Sequence, residues 1–140
     1  MKFKVLIIVA NYYKKISDSL IFCAKEKLKN YPKVKYKSKV MKFNVDIIEV
    51  PGAFEVPVVI SKNIKKYDGF VALGCIIKGQ TPHFDFISQS VTNALMDLSI
   101  NYKKPVGNGI ITCLNKKQAD ERSCKKGYEA AYAVISVLSK

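Results

Sequence analysis

The chain of 140 residues carries 24 Lys and Arg against 11 Asp and Glu, a net charge of +13, and is 49% hydrophobic. That apolar content excludes disorder and suffices for the core of one domain, while no apolar run reaches the ~18 residues of a membrane-spanning helix. The charge excess has two readings: attraction of polyanions such as nucleic acid, or a solubilising surface that also draws in a phosphorylated substrate.

Met1 to Lys4 followed by the apolar run Val5 to Ala10 imitates a short signal peptide. Asn11-Tyr12-Tyr13-Lys14-Lys15 offers no small-residue cleavage site, however, so the stretch from Phe3 to Ala10 is expected to be a first strand in a cytoplasmic protein. Ile16, Leu20, Cys23, Ala24 and Leu28 recur at helical spacing, with Ser17 or Ser19 as cap and Asn30 to Pro32 as the stop. The dense lysine run from Lys33 to Lys39 reads as a solvated face. A second strand, Val45 to Val50, stops at Pro51-Gly52, and a helix follows from Phe54 or Glu55 through Lys65, with Pro57 tolerated in its first turn.

Tyr67-Asp68 turns the chain into a third strand, Gly69 to Ile77. Thr81 then caps a helix with Pro82 at its first position; running to about Asn101, this helix is expected to bury Phe86, Ile87, Val91, Leu95 and Leu98. Lys103-Lys104-Pro105 leads to a fourth strand, Val106 to Cys113, whose Gly107 and Gly109 mark close approach of another backbone. Two helices, Lys116 to Ser123 and Lys126 to Leu138, close the chain. Strands alternating with helices predict an α/β fold with a parallel sheet covered on both sides.

Cys23, Cys75, Cys113 and Cys124 show no C-x-x-C spacing, and His83 is the only histidine. This argues against a zinc cluster and predicts buried free thiols in a metal-free protein of a reducing compartment. Arg122 is the only arginine among 24 basic residues, and only its guanidinium offers a planar fork for phosphate or carboxylate.

In open parallel sheets, ligands bind off the carboxyl ends of the strands. The candidate loops are therefore Asn11 to Tyr13, Pro51 to Glu55, Cys75 to His83, and Thr112-Cys113 or the nearby Asn108. They supply an aromatic platform, a carboxylate, an imidazole able to move protons near neutral pH, and a helix start suited to an anion. Asp85 lies two positions from His83 and diverges from it on a helix, so no Ser-His-Asp arrangement is expected.

Val50-Pro51-Gly52-Ala53-Phe54-Glu55-Val56-Pro57 and Leu73-Gly74-Cys75-Ile76-Ile77-Lys78-Gly79-Gln80-Thr81-Pro82-His83-Phe84-Asp85 together resemble the 6,7-dimethyl-8-ribityllumazine synthase family. The likeness continues through Pro105 to Thr112, Gln118-Ala119, Glu121-Arg122, Lys126-Gly127 and Glu129 to Ala131, so it covers residues 1–140 as one domain. It implies a flavodoxin-like three-layer α/β/α sandwich with a four-stranded parallel sheet. The implied reaction is the penultimate step of riboflavin biosynthesis, a transferase condensation of 5-amino-6-(D-ribitylamino)uracil with 3,4-dihydroxy-2-butanone 4-phosphate, without metal or organic cofactor.

By this resemblance, Tyr12 stacks on the pyrimidine, Ala53, Phe54 and Glu55 hold the ribityl chain, and the backbone of Cys75, Ile76 and Ile77 reads the uracil edge. Gln80, Thr81 and Arg122 would hold the butanone phosphate, His83 would shuttle protons, and Asn108 and Lys126 would complete the ribitylaminouracil site. Lys78 stands where arginine is common in the family, Gln80 where glutamate or alanine is usual, Tyr12 for phenylalanine or tryptophan, and Asn108 often for phenylalanine.

The resemblance further implies sites between subunits, with Asn108, Arg122 and Lys126 supplied by a neighbour. The start of the chain at its first strand and the short Arg122 to Lys126 connection predict a homopentamer, able to pair into a decamer, rather than a sixty-subunit shell. Riboflavin synthase is a candidate partner; nucleic acid and membrane are not expected. Two rivals are a non-catalytic flavin- or lumazine-binding protein on the same fold and a basic RNA-binding protein, the latter lacking any dedicated RNA-binding motif.

Overall fold

The computed structural model describes residues 1–30, 35–36 and 39–140. In chain order its elements are β1 (Lys2–Ala10), α1 (Lys14–Asn30), β2 (Lys35–Tyr36), β3 (Lys39–Val40), β4 (Lys42–Val50), α2 (Val56–Asn63), β5 (Gly69–Ile77), α3 (His83–Tyr102), β6 (Val106–Cys113) and α4 (Lys116–Leu138), with a 3-10 turn at Ala53–Glu55 before α2. The four long strands pair in parallel in the order β4-β1-β5-β6, and β2 and β3 form a separate antiparallel pair.

Strand periodicity explains the two cores. Val5, Ile7, Val9, Val71 and Leu73 face α1 and α4, while Leu6, Ile8, Ala10, Phe70 and Ala72 face the layer of α2 and α3. Both sides of β1 and β5 are thereby buried, which is why these strands read as continuous apolar runs. The result is a three-layer α/β/α sandwich, as expected.

Several boundaries differ from the sequence reading. β4 begins at Lys42, before the expected Val45, because Lys42, Phe43 and Asn44 pair with Lys2, Phe3 and Lys4. An edge strand tolerates such polar residues. α1 begins at Lys14, so neither Ser17 nor Ser19 caps it; Ser17 donates its hydroxyl to the Lys14 carbonyl at 2.9 Å. α2 stops at Asn63, whose amide donates to the Val59 carbonyl at 2.8 Å. The expected chain-closing pair of helices is one continuous helix, α4, since nothing between Ser123 and Lys126 breaks helical geometry. The lysine run from Lys33 to Lys39 lies largely outside the described residues.

Phe86 also departs from expectation. Val91 and Leu95 are buried and Ile87 and Leu98 are partly so, but Phe86 is 65% exposed. Phe86, Met96 and Ile100 share one stripe of α3 that the single chain leaves uncovered.

α1 and α4 cross closely. A Cβ at Gly127 would fall inside contact distance of the Leu20 carbonyl, and the hydroxyls of Ser19 and Ser123 lie 2.9 Å apart. At this crossing Cys23 and Cys124 form a disulfide, which corrects the expectation of four free thiols and removes the free-thiol argument for a reducing compartment; Cys75 and Cys113 are the free pair. No C-x-x-C signal precedes it because helix packing brings together residues 101 apart. Cys23→Ser is expected to destabilise the oxidised protein by about 2–4 kcal/mol, the usual range for losing a disulfide. The check is a urea melt in which added reductant lowers the midpoint of the parent protein and leaves the variant's unchanged.

Candidate active site

The carboxyl ends of β4, β1 and β5 lie side by side, with Ala10 opposite Val50 and Val9 opposite Leu73. Gly74 makes the floor. A Cβ there would come 3.1 Å from the Ala10 methyl and 3.2 Å from Ile110 Cδ1, so the absent side chain lets the turn holding Ala53 settle over β5. That turn packs against β1, β5 and α3, which fixes Ala53 in the core and leaves Phe54 62% exposed. Glu55 is half-buried, its N–H donating to the Gly52 carbonyl at 3.2 Å.

Beside this turn, the Asn11 N–H donates to the Val50 carbonyl at 2.9 Å and ties the end of β1 to β4. Tyr12 follows, 75% exposed, with its ring edge-on to Tyr13 at 4.9 Å between centroids. On the other side, Cys75, Ile76 and Ile77 end β5 half-buried, and the Lys78 N–H donates to the Cys113 carbonyl at 3.0 Å. Lys78 through His83 are exposed.

The helix start is displaced by one residue from the expected position. Pro82, rather than Thr81, is the N-cap of α3, and His83 is its first residue. Thr81 still contributes, because its Oγ1 accepts the His83 N–H at 3.4 Å. The Pro82 carbonyl takes the N–H groups of Asp85 and Phe86 at 3.1 and 3.3 Å. Gln80 and Thr81 therefore stand at the positive end of a 20-residue helix.

One chain thus gathers Tyr12, Ala53, Phe54, Glu55, Cys75, Ile76, Ile77, Gln80, Thr81 and His83 on adjacent strand ends. Asn108, Arg122 and Lys126 are elsewhere. Asn108 pairs opposite Ala72, five residues before the strand-end pair Ile77 and Cys113, which is about 16 Å at the rise of a strand. Its side chain accepts the Ile110 N–H at 3.0 Å. Arg122 and Lys126 project from α4, which packs with α1 on the sheet face opposite α2 and α3.

Two features of this edge were absent from the sequence reading. Leu114 donates its N–H to Gln118 Oε1 at 2.9 Å, while Gln118 donates its own to Asn115 Oδ1 at 2.9 Å. This variant of a capping box, in which Gln118 reaches the residue before the N-cap Asn115, starts α4, and Asn115 followed three residues later by Gln118 was its signal. The second is the packing of Tyr13 and Cys75 against the core cluster that contains Cys113, seen only once strands and α1 are assembled.

Burial, reinforced by Cys113, pushes the Cys75 thiol from the usual 9.0 to about 12. The neutral thiol is therefore the form present at neutral pH. Iodoacetamide should modify Cys75 at least about tenfold more slowly than a free thiol, since the thiolate is the nucleophile. The rate should climb with pH toward 12, measured by peptide mass mapping. Fast modification at pH 7.5 would contradict this environment.

Comparison with known proteins gives one answer along the chain. The family model described as 6,7-dimethyl-8-ribityllumazine synthase matches residues 2–140. A protein of that name from Bartonella tribocorum is 39% identical over 142 residues, covering 96% of this chain and 87% of the relative. Others of that name, from Bartonella henselae and Afipia carboxidovorans, are each 40% identical, covering 99% and 96% of this chain and 88% and 83% of theirs. With a match of this extent, the strand-end loops and the parallel sheet are features of a shared fold, and the chain belongs to the 6,7-dimethyl-8-ribityllumazine synthase family.

Proposed function

We propose that this chain is a working lumazine synthase, a transferase that condenses 5-amino-6-(D-ribitylamino)uracil with 3,4-dihydroxy-2-butanone 4-phosphate and releases phosphate and two waters. The observation that carries the proposal is the family match over residues 2–140. Chemically, Tyr12 offers a ring face to the pyrimidine, the Ala53-Phe54-Glu55 turn meets the ribityl hydroxyls, and the Cys75-Ile76-Ile77 backbone meets the uracil edge. Gln80 and Thr81 receive the phosphate at the α3 N-terminus. His83, exposed in the first turn of α3, exchanges protons as the amine attacks the ketone, the imine forms, phosphate leaves and the ring closes. Holding both reactants together is the larger contribution, because an amine and a ketone condense readily once aligned.

Asn108, Arg122 and Lys126 enter this mechanism from a neighbouring subunit. The position of Asn108 about 16 Å back along β6 and the seat of Arg122 and Lys126 on α4 support that arrangement. The uncovered stripe of Phe86, Met96 and Ile100 supports self-association through α3. The proposed assembly is a homopentamer, able to pair into a decamer, in the cytoplasm, with riboflavin synthase as a candidate partner. Among the described residues, no helix is long and apolar enough to cross a membrane.

Mixing the protein with both substrates and following lumazine absorbance together with phosphate release tests the activity. Turnover with matched yields of the two products is expected; tight lumazine binding without turnover would favour a non-catalytic binding protein. Light scattering should give the mass of five or ten chains, and a particle of about sixty would refute the pentamer.

A further inference from the structure

At the opposite end of the sheet from the candidate active site, α1 and the edge strand β4 enclose a trough of about 790 Å³, within the size range of small-molecule sites. Among the described residues, its apolar wall is Ile21, Phe22 and Leu28 from α1 and Phe43 and Val45 from β4. Phe22, 65% exposed, presents its ring to this trough. The lining follows one stripe of α1 from Asp18 to Lys29, about 16 Å at the rise of a helix, so the trough is elongated rather than round.

Lys2, Lys25, Lys29 and Lys42 rim it, and none has an ion pair among the described residues. The two acidic residues of the lining are already engaged. Asp18 pairs with Lys14 at 3.3 Å, and Glu26 accepts from the Asn30 amide at 3.1 Å. Among the described residues, four ammonium groups against two carboxylates leave two positive charges in excess around an apolar slot. That excess matches a phosphate monoester, whose charge near neutral pH approaches −2.

We propose that this trough binds an amphipathic phosphate monoester with a single long apolar chain, the chain lying along Phe22, Phe43 and Val45 and the phosphate among the lysines. Lysine suits such a headgroup as a mobile point charge, and its stem adds apolar cover to the slot. None of these residues belongs to the proposed catalytic machinery. Occupancy is therefore separable from turnover.

Dodecyl phosphate, kept below its micelle concentration, is titrated into the assembled protein by calorimetry. One saturable site per chain is expected, with laurate weaker and inorganic phosphate and dodecyltrimethylammonium giving no binding. The Lys25→Glu, Lys29→Glu double variant should weaken binding at least about tenfold. Phe22→Asp, an exposed substitution, should abolish it with synthase turnover and circular dichroism unchanged. Equal binding of the cationic detergent, laurate binding tighter than the phosphate, uptake without saturation, or unchanged affinity in Phe22→Asp would each overturn the proposal.

Discussion

Arg122→Ala is expected to lower kcat/KM for the butanone phosphate roughly a hundredfold, the rate equivalent of one charge-assisted hydrogen-bond pair, and His83→Ala only about tenfold, below the usual range of about a hundredfold or more for general acid–base catalysis because water can replace the imidazole. The ranking follows from what each side chain supplies. Arg122 is the only guanidinium in the chain, and in the proposed mechanism its fork would hold two phosphate oxygens while a neighbour's Gln80 and Thr81 would hold the others. In the same proposal His83 would exchange protons that water can also carry. Arg122→Lys keeps the charge without the fork and should fall between parent and Ala. Since Arg122 is exposed on α4, these variants should fold normally. Steady-state kinetics with the butanone phosphate varied gives the order; a larger loss for His83→Ala would make proton transfer the dominant contribution.

The largest effect on stability is expected at Gly107. β6 passes directly beneath α4 there: an added Cβ would overlap the Ala130 carbonyl oxygen, lie 2.9 Å from its carbon and 3.0 Å from Val134 Cγ2. Backbone cannot rotate away as a side chain can, so Gly107→Ala must push α4 off the sheet and open the core around Val134 and Ile135. A loss of roughly 4 kcal/mol or more is expected, in the exceptional range for a single substitution. Thermal or urea unfolding measures it, with Gly79→Ala as control, where nothing lies within 4 Å of the added methyl. Equal stability of the two variants would mean that β6 and α4 are not in contact as described.

Both glycine positions bear on what the sequence reveals. Gly107 and Gly109 inside an apolar run announced a close backbone approach, and Ala130 now supplies it. β1 and β5 were legible because strands buried on both faces leave long apolar runs, whereas β4, open on one edge, was read only from Val45. Phe86 was misplaced because helical spacing selects an apolar stripe without saying whether the same chain covers it. The loops at Tyr12, Ala53 to Glu55 and Cys75 to His83 were placed by a general property of parallel sheets. Arg122 could be singled out by residue type, but no pattern in one chain links it to a loop on the other face of the sheet. The disulfide was illegible for the same reason: its two residues become neighbours only through helix packing.

The bond between Cys23 and Cys124 has a topological consequence. It turns the chain from residue 23 to residue 124 into a covalent ring that contains β4, β5 and β6, with β1 on a tail outside that ring. Yet β1 lies between β4 and β5 in the sheet, so the ring is closed across its centre by a strand it does not include. A single protease cut within the ring therefore leaves one molecule on a non-reducing gel and two fragments on a reducing one. A cut in either tail releases a fragment under both conditions.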